Sequence, residues 1–433
     1  MLDGVGCAHE HEQVEPQCFP SGRFDGDDRM TRSPKKPVRQ QDRRHLGRRE
    51  ILRGGAALAA ASLLPVSAFG STLPALASPM LAGARKTKRV ILVVFGGGVR
   101  SRETILSDNV PNMSRMAAEG VVFPNTVVRN NGHYGAAVSI LSGSFEVFGI
   151  RENARPSMPT LFEVVRKKAG LAASDVWLST SGSDQETNYA YSTASGFGAP
   201  YGANLIGGEG IFNAEFKDLV VGEGGLRGVD ASEEALLGTL RGAVKTPLPT
   251  EDGGGLGNTA EATARIEAFI LDELRGGASD ITGLGANDAK AMHVARNLMS
   301  IFRPKLLGVT LRNPDVAHGS FNDYVTVIRR NDEELGKLFD AVKGDPELAE
   351  STAIMVLPEF GRDRDFNARR GLDHGDASDE LNKVALVAWG PDFKSGKVET
   401  REIRSIDVTP TIVSMFGTRM GAQTGSVISG LFG

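Results

Sequence analysis

The spacing of apolar residues changes several times along the chain, and each change marks an element. Arg89 is followed by the unbroken apolar run Val90-Ile91-Leu92-Val93-Val94-Phe95, which stops at Gly96-Gly97-Gly98. A continuous run of this kind predicts a strand buried on both faces, as in a parallel sheet covered by helices. Val110-Pro111-Asn112 opens a helix that turns Met113, Met116 and Ala117 inward and closes at Gly120. Val121–Phe123 reads as a short strand, Gly135–Leu141 and Thr160–Lys168 as helices, and Val176–Thr180 as a strand. Helical spacing returns at Ile266, Phe269, Ile270 and Leu274, after Asn258-Thr259-Ala260-Glu261 has supplied an N-cap and a Glu. A second helix spans roughly Asn287–Phe302. Strands at Lys305–Leu311, Thr352–Leu357 and Val384–Trp389 then alternate with a long helix at Phe321–Val342 and a closing helix at Ile406–Met415. This alternation predicts a three-layer α/β domain, with a mostly parallel central sheet and helices on both faces. From Ser181 to about Leu256 the pattern dissolves into Gly and small residues, which reads as a cap or insertion at the sheet edge.

The first 77 residues obey another logic. Residues 1–47 are polar, rich in Arg and Asp, and without periodicity, as expected of a disordered region. Gly47-Arg48-Arg49-Glu50-Ile51-Leu52-Arg53 is similar to a twin-arginine export motif. The Ala-rich stretch Gly54–Gly70 comes next, and Ala75-Leu76-Ala77 places small residues at the spacing of a cleavage site. The expected organisation is an n-region and twin-arginine signal over 1–77 and a folded domain over 78–433, with a periplasmic or extracellular destination. The twin-arginine export machinery is then a partner. The apolar stretch is shorter and less apolar than a spanning helix requires, so no stable membrane span is expected. An Ala-rich surface helix and a retained anchor are the competing readings of this stretch.

Composition narrows the function. Removing the first 77 of 433 residues leaves about 355, enough for one large α/β domain. The net charge of −4 gives no general attraction for nucleic acid. Cys7 and Cys18 both precede residue 78, so cleavage would leave no thiol for disulfides, metal ligation or nucleophilic attack.

Ligands of open α/β sheets sit beyond the carboxyl ends of the strands, so the residues after each strand carry the chemistry. Those segments are Gly96-Gly97-Gly98-Val99-Arg100, then Asn313-Pro314-Asp315-Val316-Ala317-His318-Gly319, then Pro358-Glu359-Phe360-Gly361-Arg362. Gly371-Leu372-Asp373-His374-Gly375-Asp376 lies shortly beyond. Of the histidines after residue 77, His133, His318 and His374 fall in Gly-flanked loops, whereas His293 falls inside a helix and is expected to be satisfied there. Asp315 and His318, three apart in a loop, form a candidate pair for a divalent metal that takes carboxylate and imidazole together.

The order of these segments resembles the alkaline phosphatase superfamily, which includes sulfatases and type I phosphodiesterases. The resemblance runs over about 88–170 and 305–417. It is carried by Val90–Arg100, by Pro111–Phe123, and by His133–Gly143 with Phe148-Gly149-Ile150. Further on it is carried by Asn331–Gly336 with Ser351–Leu357, by Trp389-Gly390-Pro391, and by Ile406–Thr411. Set in that register, Gly97 stands where the family has a metal-binding Asp, His133 where it has its nucleophile, and Glu359-Phe360 where it has Asp-His. The resemblance implies a reduced site with one divalent metal (zinc, manganese or calcium) on Asp315, His318 and His374. Glu359 is then a fourth ligand or a base, His133 a general acid/base or nucleophile, and Arg100 and Arg362 clamps for a small anionic ester. The absence of Cys or Ser at position 133 disfavours sulfatase chemistry. Two functions are expected in consequence: an exported metal-dependent hydrolase of phosphate-type or related esters, or a catalytically degenerate relative acting as an exported ligand-binding protein.

Overall fold

A computed structural model describes residues 85–146, 153–182, 185–207, 257–421 and 424–433. The expected signal region and residues 208–256 of the expected insertion lie outside the described residues, as does Phe148-Gly149-Ile150.

In chain order the elements are β1 (Arg89–Phe95), α1 (Pro111–Glu119), β2 (Val121–Val127), α2 (His133–Ser142), α3 (Leu161–Lys168), β3 (Val176–Thr180) and β4 (Asn204–Gly207). They continue with α4 (Ala260–Arg275), α5 (Ala286–Ile301), β5 (Leu306–Leu311), α6 (Phe321–Gly344), α7 (Pro346–Ser351), β6 (Thr352–Pro358) and α8 (Asp379–Asn382). The chain closes through β7 (Lys383–Trp389), β8 (Lys397–Val398), β9 (Ile403–Arg404) and α9 (Val408–Met415).

Nine strands form one sheet in the order β4-β3-β5-β1-β6-β7-β2-β8, with β9 also on β2. The pairings β3–β4, β3–β5, β1–β5 and β1–β6 are parallel, and only β7 runs against its neighbours β6 and β2. The fold is therefore the expected mostly parallel α/β sheet with helices around it.

The unbroken apolar run of β1 is explained by its central place. Its alternate side chains reach opposite faces of the sheet. Ile91, Val93 and Phe95 join a core with Met113 and Met116 of α1, Ile270 of α4, Met292 of α5 and Leu335 of α6. Val90, Leu92 and Val94 join the other core, with Leu141 of α2, Phe162 of α3 and Ile412 of α9.

Local signals set the helix ends. Thr160 and Glu163 form a reciprocal capping box at α3. At α4 the cap is Thr259, which accepts from Ala262 N–H, while Asn258 turns away to bond Asn204. The described part of 181–256 includes β4, which extends the sheet edge in parallel beyond β3.

The topology positions the site. β5, β1 and β6 are adjacent and parallel, so the segments after them leave the same sheet edge. β2 is antiparallel to β7, which is antiparallel to β6, so β2 also ends at that edge and delivers His133 at the first turn of α2. Among the described residues, no helix is long and apolar enough to cross a membrane.

Candidate metal centre

Four side chains meet at the shared edge. One ligand atom each from His133, Asp315, His318 and His374 lies within 4.8 Å of every other. Asp315 and His318 sit on a short 3-10 helix, Asn313–His318, where the expectation was a loop. A 3-10 helix has three residues per turn, so positions three apart eclipse and both side chains point the same way. His374 arrives from the long segment after β6, and its ring packs 4.9 Å from His133 and 5.0 Å from His318 between centroids.

Two of the imidazoles are oriented from behind. His133 Nδ1 lies 2.6 Å from Glu359 Oε1, and His318 Nδ1 lies 2.6 Å from Asp373 Oδ1. A carboxylate only accepts, so each Nδ1 carries a proton; Nε2 of His318 keeps its lone pair, and Nε2 of His133 offers one once that ring is neutral. His133 Nε2 is buried without a hydrogen bond, although Asp315 Oδ1 is only 3.0 Å away. With His133 neutral, two ring nitrogens each backed by a carboxylate suit a divalent cation, and three nitrogens with one carboxylate oxygen form a zinc-like donor set.

Glu359 is buried at the end of β6 and holds the Gly97 N–H (2.7 Å) as well as His133. The structure therefore places it behind His133 and outside the four-residue group. Phe360 is fully buried, and its ring makes the apolar wall of the centre, 5.0 Å from His133 and 5.2 Å from His374. Gly97 has φ of +80°, and a Cβ there would come within 2.5 Å of the Asp315 backbone nitrogen. An Asp cannot be accommodated at this turn, so the position offers backbone groups where the resemblance sets a ligand.

The two arginines considered as substrate clamps are sealed into the protein. Arg100 is buried, paired twice with Glu103 at 2.7 Å, and donates to the carbonyls of Asp363 and Arg364. Arg362 has a fully buried side chain. Its guanidinium donates to the carbonyls of Gly97, Gly98 and Leu372, to Asp315 Oδ1 (2.6 Å), and to His318 Nε2 (3.1 Å). Arginine has no acceptor, so this last contact uses the His318 lone pair. The guanidinium thus engages two atoms that a metal would also use.

The charges shift each other. Burial opposes protonation of His133, but Glu359 and Asp315 outweigh it and raise its pKa to about 9. Burial pushes Asp315 up, yet His133 and Arg362 hold it well below the usual carboxylate range. Burial, together with the neighbouring Arg362, His133 and His318 charges, lowers His374. The hydrogen bond from His318, then the one from Asn367, lowers Asp373.

Sequence reading did not give Asp373 or Asn367 a role. Asn367 Nδ2 donates to the His318 carbonyl (3.1 Å) and to Asp373 Oδ1 (3.0 Å), fixing the carboxylate that orients His318. An acidic residue directly before His374 was the available signal for Asp373. His293 lies elsewhere, on α5, 3.1 Å from Glu273 and bonded by Arg296, as a satisfied helix residue. Ser139, the serine nearest to position 133 in sequence, is buried and donates to the Gly135 carbonyl within α2.

No protein-family model matches the chain, and no curated protein matches it. Solved structures do. A variant of the alkaline phosphatase PafA superposes with a TM-score of 0.50 at 10% identity, over 81% of this chain and 100% of that one. A phosphonate monoester hydrolase from Silicibacter pomeroyi superposes with a TM-score of 0.47 at 14% identity, over 79% and 76%. The chain has the alkaline phosphatase-like α/β fold, as the order of its motifs implied.

Proposed function

We propose that this protein is an exported metal-dependent hydrolase of phosphate-type or related esters, acting through a single divalent ion. The observation that carries the reading is the group of four ligand atoms within 4.8 Å, with two imidazoles held by buried or bonded carboxylates. Asp315, His318 and His374 would hold the ion, which when bound would supply Lewis-acid polarisation of the ester. His133, fixed through Nδ1 by Glu359, moves a proton at Nε2 to or from the reacting oxygen. Phe360 keeps water from one side. Export rests on the paired arginines at Arg48 and Arg49 and the apolar, small-residue segment after them.

A second reading, a non-hydrolytic ligand-binding protein, is favoured by one observation: Arg362 engages Asp315 Oδ1 and His318 Nε2. Metal content by elemental mass spectrometry on the whole chain, beside His374→Ala, separates the two. The hydrolase reading expects about one zinc, manganese or calcium per chain, lost in the variant. A chain that retains no metal even after reconstitution overturns it.

A further inference from the structure

With Arg100 and Arg362 sealed, recognition of a substrate's anionic charge needs another source. One stands beside the centre. A cavity of about 360 Å³ opens between the start of α6 and the turn at 366–370, lined by Gly319, Phe321, Phe366, Arg369 and Arg370. Its volume falls in the range of small-molecule sites, roughly 300–1,000 Å³. Gly319 directly succeeds His318, and the turn leads through Gly371 to Asp373 and His374, so both walls are continuous with the ligand segments.

The lining combines two kinds of group. Phe366 is 59% exposed and meets Phe321 edge to face, with centroids 5.1 Å apart. An exposed aromatic that keeps a fixed partner presents a ready apolar surface. Arg370 is exposed and has no carboxylate within ion-pair distance among the described residues. Arg369 reaches only to 4.0 Å from Asp373. Arg370 is also one of the few non-glycine residues in the left-handed region, with φ of +60°.

The turn is pinned to the centre. Asn367 Oδ1 accepts from the N–H groups of Arg369 and Gly371, both at 2.9 Å, while its amide holds the His318 carbonyl and Asp373. The backbone that carries the arginines is therefore set at a defined position relative to the four-residue group.

We propose that this cavity is a subsite for an anionic group borne on a flat ring, with the guanidiniums taking the charge and the phenylalanines the ring. Under the hydrolase reading, on which this assignment rests, the ring belongs to the organic part of the ester. The substrate class is then an ester whose organic part carries a second negative charge.

The test uses naphthalene-2-sulfonate as probe, titrated calorimetrically into the whole chain in the presence of a chelator, so that no metal contributes. Saturable binding is expected, weakened at least about tenfold in the Arg369→Ala/Arg370→Ala double variant and several-fold in Phe366→Ala. It should be unchanged in His374→Ala. All substituted arginine and phenylalanine side chains are exposed, and melting temperatures check that the variants are folded. No saturable binding to the unaltered chain, equal binding by the double variant, or loss in His374→Ala instead would each overturn the subsite. Absence of ester turnover with probe binding intact would remove the hydrolase reading and leave the subsite standing.

Discussion

Cation binding at this centre must expel a proton. His133 sits 2.6 Å from Glu359 and 3.0 Å from Asp315; burial opposes its charge, but these carboxylates prevail and raise it to about 9. An imidazolium and a divalent ion repel each other strongly in a space in which the four ligand atoms are within 4.8 Å, so the resting metal-bound site favours neutral His133. The sign is set by linkage: the folded-state value exceeds the unfolded value of about 6.5, so the imidazolium stabilises the metal-free fold. That stabilisation is complete below the unfolded value and fades as pH rises through about 9. At pH 7 about 99% of His133 is charged, and discharging it costs about 3 kcal/mol, roughly a hundredfold in apparent metal affinity. Zinc titration by calorimetry, in buffers of different ionisation enthalpy, counts the released protons. About one proton per zinc is expected at pH 7 and close to none near pH 10, with apparent affinity rising about tenfold per pH unit between 7 and 9. Glu359→Gln removes the largest of the influences that raise His133 and should move the release to lower pH. No proton release at pH 7, or a profile indifferent to Glu359→Gln, would refute the reasoning.

Other outcomes are expected from the same geometry. Gly97→Asp, which writes the family's ligand into this chain, should destabilise it by about 1–3 kcal/mol instead of adding a metal site, because the turn is left-handed and crowded; thermal unfolding and metal counting check both halves. Asp373→Asn leaves His318 without its negative partner and should weaken metal binding by about 10- to 100-fold while the melting temperature of the metal-free chain changes little. Lysines in place of Arg48 and Arg49 should retain a reporter fused to the chain inside the producing cell, whereas the unaltered leader carries it out.

The sheet was legible because burial on two faces leaves an unmistakable trace. Val90 to Phe95 is apolar at every position and Thr352 to Leu357 at every position after the first, and their central places in the sheet account for it. The short outer strands β4, β8 and β9 were not legible, since two to four residues with half-exposed side chains carry no period. At the centre, the histidines could be gathered from the segments at the carboxyl ends of the strands. The task of each polar group could not be gathered that way. Arg362 and Arg100 read as surface clamps, because sequence does not reveal that carbonyls of Gly97, Gly98, Leu372, Asp363 and Arg364 would surround them. Glu359 read as a fourth ligand or a base for the same reason: its closeness to His133 becomes visible only once β6 and α2 are side by side.

The buried guanidinium of Arg362 has a consequence for assembly. A carboxylate crowded among imidazoles is held more firmly when a further counter-charge lies beside it. In this chain the counter-charge is covalently attached, and its hydrogen bonds tie the segments after β1, β5 and β6 into one knot. On the proposed reading, assembly of these segments is thereby separated from the supply of metal, since the hydrogen bonds of Arg362 hold them together before any ion arrives.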